Sequence, residues 1–215
     1  MQNINCYIIT FMQRQVIGVL GIGEVGNSIF QIFSKKFNVL KKDLNYDEIG
    51  KSKIEVLHVC LPYNNKFNRT VVEQVLKNKP KLLIIHSTVE PGTTKNIFSI
   101  VKIPSSYSPV MGAHPNLEKD IRNFKKIIGP VDKKSQVLAV KHFKKVGIKT
   151  VVFNNSFEAE FAKLIDTSYY AWNIIYNKIV AKLCKDFNIE FEYVYTKFNQ
   201  IYNDGYPVSK PKLLR

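Results

Sequence analysis

Cysteine is scarce in this 215-residue chain, which has Cys6, Cys60 and Cys184, far apart from one another. An odd number of isolated cysteines predicts neither a disulfide framework nor paired metal ligands, so we expect reduced thiols and no metal site. No apolar run approaches the roughly 18 residues that span a bilayer, and the N-terminus lacks the basic start and the cleavage site of a signal peptide. We therefore expect a cytoplasmic protein without a membrane partner.

Arginine is also scarce, although the net charge is +15. Such a charge favours anionic partners, but only four of the 32 basic residues are arginine, the residue that suits bidentate contacts to phosphate and guanine. The lysines are scattered singly and in pairs, so nucleic-acid binding is a minor alternative. With 45% hydrophobic and 23% charged residues, the composition is that of a globular protein.

Short apolar runs alternate with segments of helical period along residues 14–153. This alternation predicts an α/β fold, a Rossmann-type doubly wound parallel sheet that forms a nucleotide-binding domain. The first four expected strands cover residues 15–20, 38–44, 54–61 and 81–89.

The pattern changes after residue 155, where large apolar residues recur at helical spacing for nearly thirty residues without Gly or Pro. We expect a small all-helical segment over residues 156–205, with one long helix at its start. Residues 206–215 are expected to form a loose tail.

Gly21, Gly23 and Gly26 form a GxGxxG pattern between an expected strand and an expected helix. The first glycine allows a tight turn, the second lets the backbone approach a pyrophosphate, and the third lets helix and strand pack closely. The open amides of the helix N-terminus favour an anion. We therefore expect a dinucleotide here, held also by Glu24 and Val25 at the helix start and by Leu61 and Pro62 after the third strand.

Asp43 follows Gly21 by twenty-two residues, at the end of the second expected strand. A carboxylate there binds the adenosine ribose and repels a 2′-phosphate, which favours NAD over NADP. Lys41 and Lys42, just before it, leave NADP open. A glycine turn with a surface aspartate and no ligand remains the alternative interpretation.

Three segments resemble the UDP-glucose/GDP-mannose 6-dehydrogenase family. Ser87-Thr88-Val89-Glu90-Pro91-Gly92-Thr93-Thr94 is similar to a motif that follows the fourth strand of the family's NAD-binding domain. SYSPVMGAHPNLEKDIRNFKKIIG is similar to its Ser-Pro-Glu segment, and EAEFAKLIDTSYYAWNIIYNKIV to the helix that carries a catalytic lysine. The resemblance extends from about Val16 to about Tyr206.

The resemblance implies an NAD-dependent oxidoreductase that oxidises a CH–OH group of a nucleotide-sugar or sugar-like substrate. It assigns catalytic roles to Lys163 and Thr88, and it places Ser87 and Thr88 where the cofactor's nicotinamide binds. It also implies a homodimer formed through the long helix, residues 156–185. Lys163 would act as a base with a pKa lowered by desolvation, but a snorkelling surface lysine is an equal alternative.

The chain also departs from the family's pattern. It ends before the segment with the nucleophilic cysteine and before the C-terminal domain, Val110 replaces the glutamate of Ser-Pro-Glu, and Thr167 replaces an asparagine four residues after the lysine. The cysteine captures the aldehyde between the family's two hydride transfers, so we expect at most one such step here. The alternative is a non-catalytic NAD- or nucleotide-binding remnant, or one subunit of a split enzyme completed by a partner polypeptide.

Overall fold

The computed structural model describes residues 15–112 and 115–205, so the tail expected over 206–215 lies outside the described residues. The chain divides into two compact units, Met1–Ala162 and Lys163–Arg215, and the division falls within the long helix. The domain bounds expected from the sequence stay predictions.

The first unit is built on a sheet of eight described strands. They are β1 (Val16–Leu20), β2 (Asn38–Asp43), β3 (Tyr46–Asp47), β4 (Val56–Val59), β5 (Leu82–Ile85), β6 (Ser105–Tyr107), β7 (Lys126–Pro130) and β8 (Thr150–Val152). Their order in the sheet is β3-β2-β1-β4-β5-β6-β7-β8. The connecting helices are α1 (Glu24–Ser34), α2 (Phe67–Asn78), α3 (Thr93–Val101), α4 (Leu117–Asn123) and α5 (Lys133–Lys145).

The sheet confirms the Rossmann-type α/β fold, but it is not wholly parallel. Strands β2 and β3 pair antiparallel because the two residues between them can form only a hairpin, and β6 and β7 also pair antiparallel. The other neighbouring strands pair parallel. The strand order reverses between β1 and β4, beside the glycine turn that follows β1. In open α/β sheets, ligands bind at such a reversal.

Two apolar layers cover the two faces of the sheet. On one face, Ile29 and Phe33 of α1 pack with Phe143 of α5, and on the other Phe67 and Val71 of α2 pack among the strands. The apolar runs of the sequence form strands that are buried on both faces of the sheet. For this reason each run is continuously apolar and does not alternate apolar with polar residues.

A chain of three buried histidines crosses the core of this unit. His86 Nδ1 lies 2.7 Å from the carbonyl oxygen of Ser108, His86 Nε2 lies 2.8 Å from His58 Nδ1, and His58 Nε2 lies 2.9 Å from His142 Nε2. Because a carbonyl only accepts, His86 donates from Nδ1, and His58 and His142 donate in turn along the chain. Burial lowers the pKa of each ring, which keeps all three rings neutral in this network.

The helical segment follows the sheet, as the sequence predicts. Helix α6 (Ser156–Asp186) begins in the first unit, and the second unit continues with a π-helical stretch (Glu192–Lys197) and α7 (Phe198–Asp204). Among residues 15–112 and 115–205, no helix is long and apolar enough to cross a membrane. The same residues contain no group of three or more potential ligand side chains placed to hold a metal ion.

Candidate functional site

The turn between β1 and α1 depends on its glycines. Gly21 has a φ of +88°, and a Cβ atom there would lie 2.8 Å from the carbonyl oxygen of Cys60. A Cβ at Gly26 would lie 1.8 Å from the carbonyl oxygen of Gly21, so only glycine fits where α1 crosses the turn. A Cβ at Gly23 would meet nothing within 4 Å. The backbone of Gly23 is therefore open to a ligand.

Helix α1 begins at Glu24, and its N-cap residue, Gly23, supplies no side chain to its first amides. A helix N-terminus carries partial positive charge and free N–H groups, so this end can bind a phosphate. It faces the reversal in strand order, where the chain's topology leaves room for a ligand.

The carboxylate of Asp43 lies against this turn. One of its oxygens accepts a hydrogen bond of 2.5 Å from the backbone N–H of Ile22, and the other accepts one of 2.7 Å from that of Leu44. Each oxygen keeps a second lone pair that can accept from a ligand hydroxyl. The side chain therefore ends β2 beside the glycine turn.

The two lysines before Asp43 already have acidic neighbours. Lys42 Nζ lies 2.8 Å from a carboxylate oxygen of Asp47, and Lys41 Nζ lies 3.8 Å from one of Glu48. Both acids belong to the β2–β3 hairpin and the turn after it. The hairpin thus neutralises much of the positive charge that a 2′-phosphate would need near Asp43.

A cleft of about 780 Å³ opens at this turn, within the usual range for cofactor sites. Of the cofactor-binding residues expected from the sequence, the cleft brings together five. They are Gly21, Gly23, Asp43, Leu61 and Pro62. The lining also includes residues that were not among the expected cofactor-binding residues, namely Leu20, Ile22, Lys42, Leu44, Cys60, Asn64, Lys66, Phe67 and Thr70.

The other expected residues do not line this cleft. Glu24 and Val25 form the first turn of α1, and Gly26 is buried beneath it. Ser87 and Thr88 follow β5; Thr88 is exposed, whereas the hydroxyl of Ser87 is buried without a partner among the described residues. Some cleft residues that the sequence analysis missed follow the buried strand β4. Their position after the carboxyl end of a parallel strand could have indicated a place in the binding site.

Glu160 is a buried carboxylate that the sequence analysis missed. It accepts hydrogen bonds from the backbone N–H of Gly92 at 2.6 Å, from that of Thr94 at 2.8 Å, and from the Thr94 hydroxyl at 2.5 Å. Burial raises the pKa of Glu160, while these three donors oppose the shift. Burial, and to a smaller extent the nearby charge of Glu160, raise the pKa of the Tyr107 hydroxyl.

Lys163 is the first residue of the second unit, on α6. Its side chain is 20% exposed, and its Nζ lies 4.0 Å from a carboxylate oxygen of Asp166. Thr167, where the family has asparagine, donates its hydroxyl hydrogen to the carbonyl of Lys163 at 2.8 Å. The lysine side chain is thus mostly buried, and Asp166 lies at the outer limit of an ion pair with it.

The two described cysteines are packed thiols. Burial raises the pKa of Cys60 to about 12, so it is protonated at neutral pH, and Cys184 is buried on α6. A thiolate is the nucleophilic form of cysteine. Neither residue therefore suits covalent capture of an aldehyde.

Known proteins similar in sequence are dehydrogenases of one kind. The UDP-N-acetyl-D-mannosamine dehydrogenase of Methanococcus vannielii is 28% identical over 110 residues, which is 50% of this chain and 26% of that protein. The enzyme of that name from Methanocaldococcus jannaschii is 25% identical over 154 residues, or 64% of this chain and 36% of that protein. The chain thus spans about a quarter to a third of these relatives. No protein-family model matches it.

Solved structures show the same fold. The UDP-D-ManNAc dehydrogenase of Pyrococcus horikoshii aligns with 91% of this chain and 59% of its own, at a TM-score of 0.75 and 18% identity. A UDP-glucose dehydrogenase of Pyrobaculum islandicum aligns with 89% of this chain and 58% of its own, at a TM-score of 0.70 and 15% identity. The chain is thus similar in sequence to nucleotide-sugar dehydrogenases over the part of those proteins that it spans, and it shares their fold.

Proposed function

We propose that this chain binds NAD and serves as the cofactor-binding part of a dehydrogenase that oxidises a CH–OH group of a nucleotide-sugar. The observation that carries the proposal is the contact between the Asp43 carboxylate and the glycine turn, beside an uncapped helix N-terminus. In this arrangement, the pyrophosphate would lie over Gly23 and the amides of α1. The free lone pairs of Asp43 would accept from the adenosine ribose.

NAD is favoured over NADP by charge. Asp43 would repel a 2′-phosphate, and Lys41 and Lys42 are paired with acids of the hairpin rather than free to bind that phosphate. The cleft residues Leu61 and Pro62 would cover the adenosine half of the cofactor. When bound, NAD supplies the hydride acceptor.

Lys163 is the proposed general base. Bound NAD would accept the hydride of one alcohol oxidation, and Lys163 Nζ would accept the proton of the substrate hydroxyl as the carbonyl forms. Thr88, exposed after β5, would hold the substrate or a water molecule with its hydroxyl. The two sequence relatives described above are UDP-N-acetyl-D-mannosamine dehydrogenases, and we propose a substrate of that class.

The two described cysteines are packed thiols, and this favours a second candidate function, a dinucleotide-binding subunit that works with another polypeptide. Full oxidation to an acid needs a nucleophilic thiol, and neither Cys60 nor Cys184 provides one. A partner that contributes a reactive cysteine would complete the site.

The two candidates differ in turnover. With NAD and UDP-N-acetylmannosamine, UDP-glucose or GDP-mannose, absorbance at 340 nm would rise if the chain completes one oxidation by itself. Binding of NAD without any rise would favour the subunit that needs a partner. Absence of both NAD binding and turnover would contradict both candidates. Lys163→Met, which keeps the length of the side chain, should abolish the rise and leave NAD affinity unchanged.

We further propose that α6 forms a homodimer. The helix exposes large apolar side chains, including Trp172 at 63% and Tyr170 at 67% exposure, and such a surface marks an interface more often than a free face. Sedimentation velocity should give about twice the mass of 24.8 kDa. Ile175→Glu should yield monomer, while Lys178→Glu, a charge change on the same helix, serves as control. A monomeric parent protein at micromolar concentration would contradict this proposal.

A further inference from the structure

Helix α3 lacks a cap of its own. Its N-cap residue, Gly92, has a φ of 98° and makes no side-chain hydrogen bond to the first amides. The missing acceptor comes from Glu160, which is distant in sequence and is fully buried. The carboxylate binds three donors of Gly92 and Thr94 and places a negative charge at the positive end of α3.

The contact is strong for physical reasons. Hydrogen bonds to an ionised carboxylate are about twice as strong as neutral ones, and removing such an acceptor leaves buried donors unpaired. The start of α6 also packs tightly on the sheet, because a Cβ atom at Gly129 of β7 would lie 2.5 Å from the Cβ of Ala159. Glu160 is therefore held on a rigid base within the first unit.

The contact of Glu160 with Gly92 and Thr94, called the clamp below, fixes the segment that follows β5 and carries two hydroxyl side chains. Ser87 and Thr88 lie in the short link between β5, which ends at Ile85, and Gly92. The sheet holds one end of this link and Glu160 holds the other. A short link tied at both ends has few conformations, so the direction of its hydroxyls depends on the clamp.

We propose that Glu160 is a positioning residue that holds Ser87 and Thr88 against the nicotinamide half of the cofactor, a role that rests on the dinucleotide binding proposed above. Glu160 itself touches neither the cofactor nor the substrate. Its effect is confined to the half of the ligand beyond β5, because the adenosine half is held by the glycine turn and Asp43.

The test compares two ligands, NAD and ADP-ribose, which lacks the nicotinamide. In calorimetric titrations the parent protein should bind NAD more tightly than ADP-ribose. Glu160→Gln replaces one acceptor by an amide donor that faces the N–H groups of α3, and should lower the preference for NAD roughly tenfold, as expected for one lost charge-assisted hydrogen bond. Binding of ADP-ribose should change less than about threefold.

Two further variants make the test specific. Glu158→Gln makes the same chemical change two residues earlier, where the carboxylate is exposed and bonds only the side chains of Asn154 and Asn155, and should leave the preference unchanged. Thr94→Val removes a single donor of the clamp and keeps the backbone amides. Thr94→Val should also lower the preference for NAD over ADP-ribose, but by a smaller factor. This variant serves as the test if Glu160→Gln does not fold.

Each outcome has a distinct meaning. An unchanged ratio of affinities in Glu160→Gln, or an equal loss for both ligands, would overturn the positioning role while leaving dinucleotide binding intact. Equal affinity of the parent protein for NAD and ADP-ribose would also overturn it. If the parent protein binds neither ligand, the proposed function itself fails.

Discussion

Lowering the pH from 7 to 5 should remove about 6 kcal/mol of unfolding free energy through His58, His86 and His142. Burial lowers the pKa of all three in the folded protein, to about 3 for His142, and their mutual repulsion adds to the effect at His58. The unfolded chain binds protons at these rings near pH 6.5, whereas the folded chain does not. Each histidine therefore contributes about 2 kcal/mol to the change.

The direction of this effect follows from the lowered pKa values. The contribution of the neutral histidines to the free energy of unfolding is fully present above about pH 6.5. It is lost progressively below that pH, because the unfolded state binds protons that the folded state does not bind. Charges on Lys126 and Lys145 near the rings disfavour imidazolium further. Glu160 acts in the opposite direction because its pKa is raised on folding, and it offsets part of the loss.

Urea unfolding at half-unit steps between pH 7 and 5 measures the effect. Since domains are commonly stable by 5–15 kcal/mol, the protein should be close to unfolding at pH 5. His142→Phe keeps a flat ring stacked on Phe33 and should reduce the pH-dependent loss by about one third. A total loss below about 2 kcal/mol would mean that the folded core accepts protons, which the neutral histidine chain does not allow.

Two glycine substitutions only three residues apart should differ widely in their cost to stability. Gly26→Ala places a methyl group 1.8 Å from the backbone oxygen of Gly21, and this overpacking should cost about 3 kcal/mol or more. Gly23→Ala meets no atom within 4 Å and has an extended backbone that alanine adopts, so its cost should stay below about 1 kcal/mol.

The same pair separates folding from binding. Gly23→Ala should fold normally yet bind NAD more than about tenfold less tightly, because its methyl group would occupy the place of the pyrophosphate. Thermal unfolding followed by calorimetry gives both quantities for each variant. Normal NAD affinity in Gly23→Ala would show that the cofactor does not cross this turn.

Local patterns made the glycine turn and Asp43 predictable. The spacing from Gly21 to Asp43 spans one β-α-β unit, and parallel pairing of β1 with β2 brings the end of β2 beside the turn whatever the rest of the chain does. The hairpin β3 was missed because a two-residue strand carries almost no periodicity. The antiparallel pairing of β7 was missed for a different reason, since strand direction is set by the connection and not by the strand's own residues.

The contacts between distant residues could not be predicted. His58 and His142 are 84 residues apart, and Glu160 and Thr94 are 66 apart, so each pair meets only through the complete fold. A histidine in an apolar strand signals burial but not its partner, and a glutamate near a helix start resembles a solvated first-turn acid. Glu160 had one available signal, its place three residues before Lys163 in the segment that resembles the family.

Calorimetric titration of NAD into the parent protein and into Asp43→Asn tests most directly whether the glycine turn and its carboxylate form a dinucleotide site. The parent protein should bind NAD with micromolar affinity and prefer it to NADP. Asp43→Asn should weaken NAD binding about tenfold and lose most of this preference. No heat of binding in the parent protein, or unchanged affinity and preference in Asp43→Asn, would contradict the account.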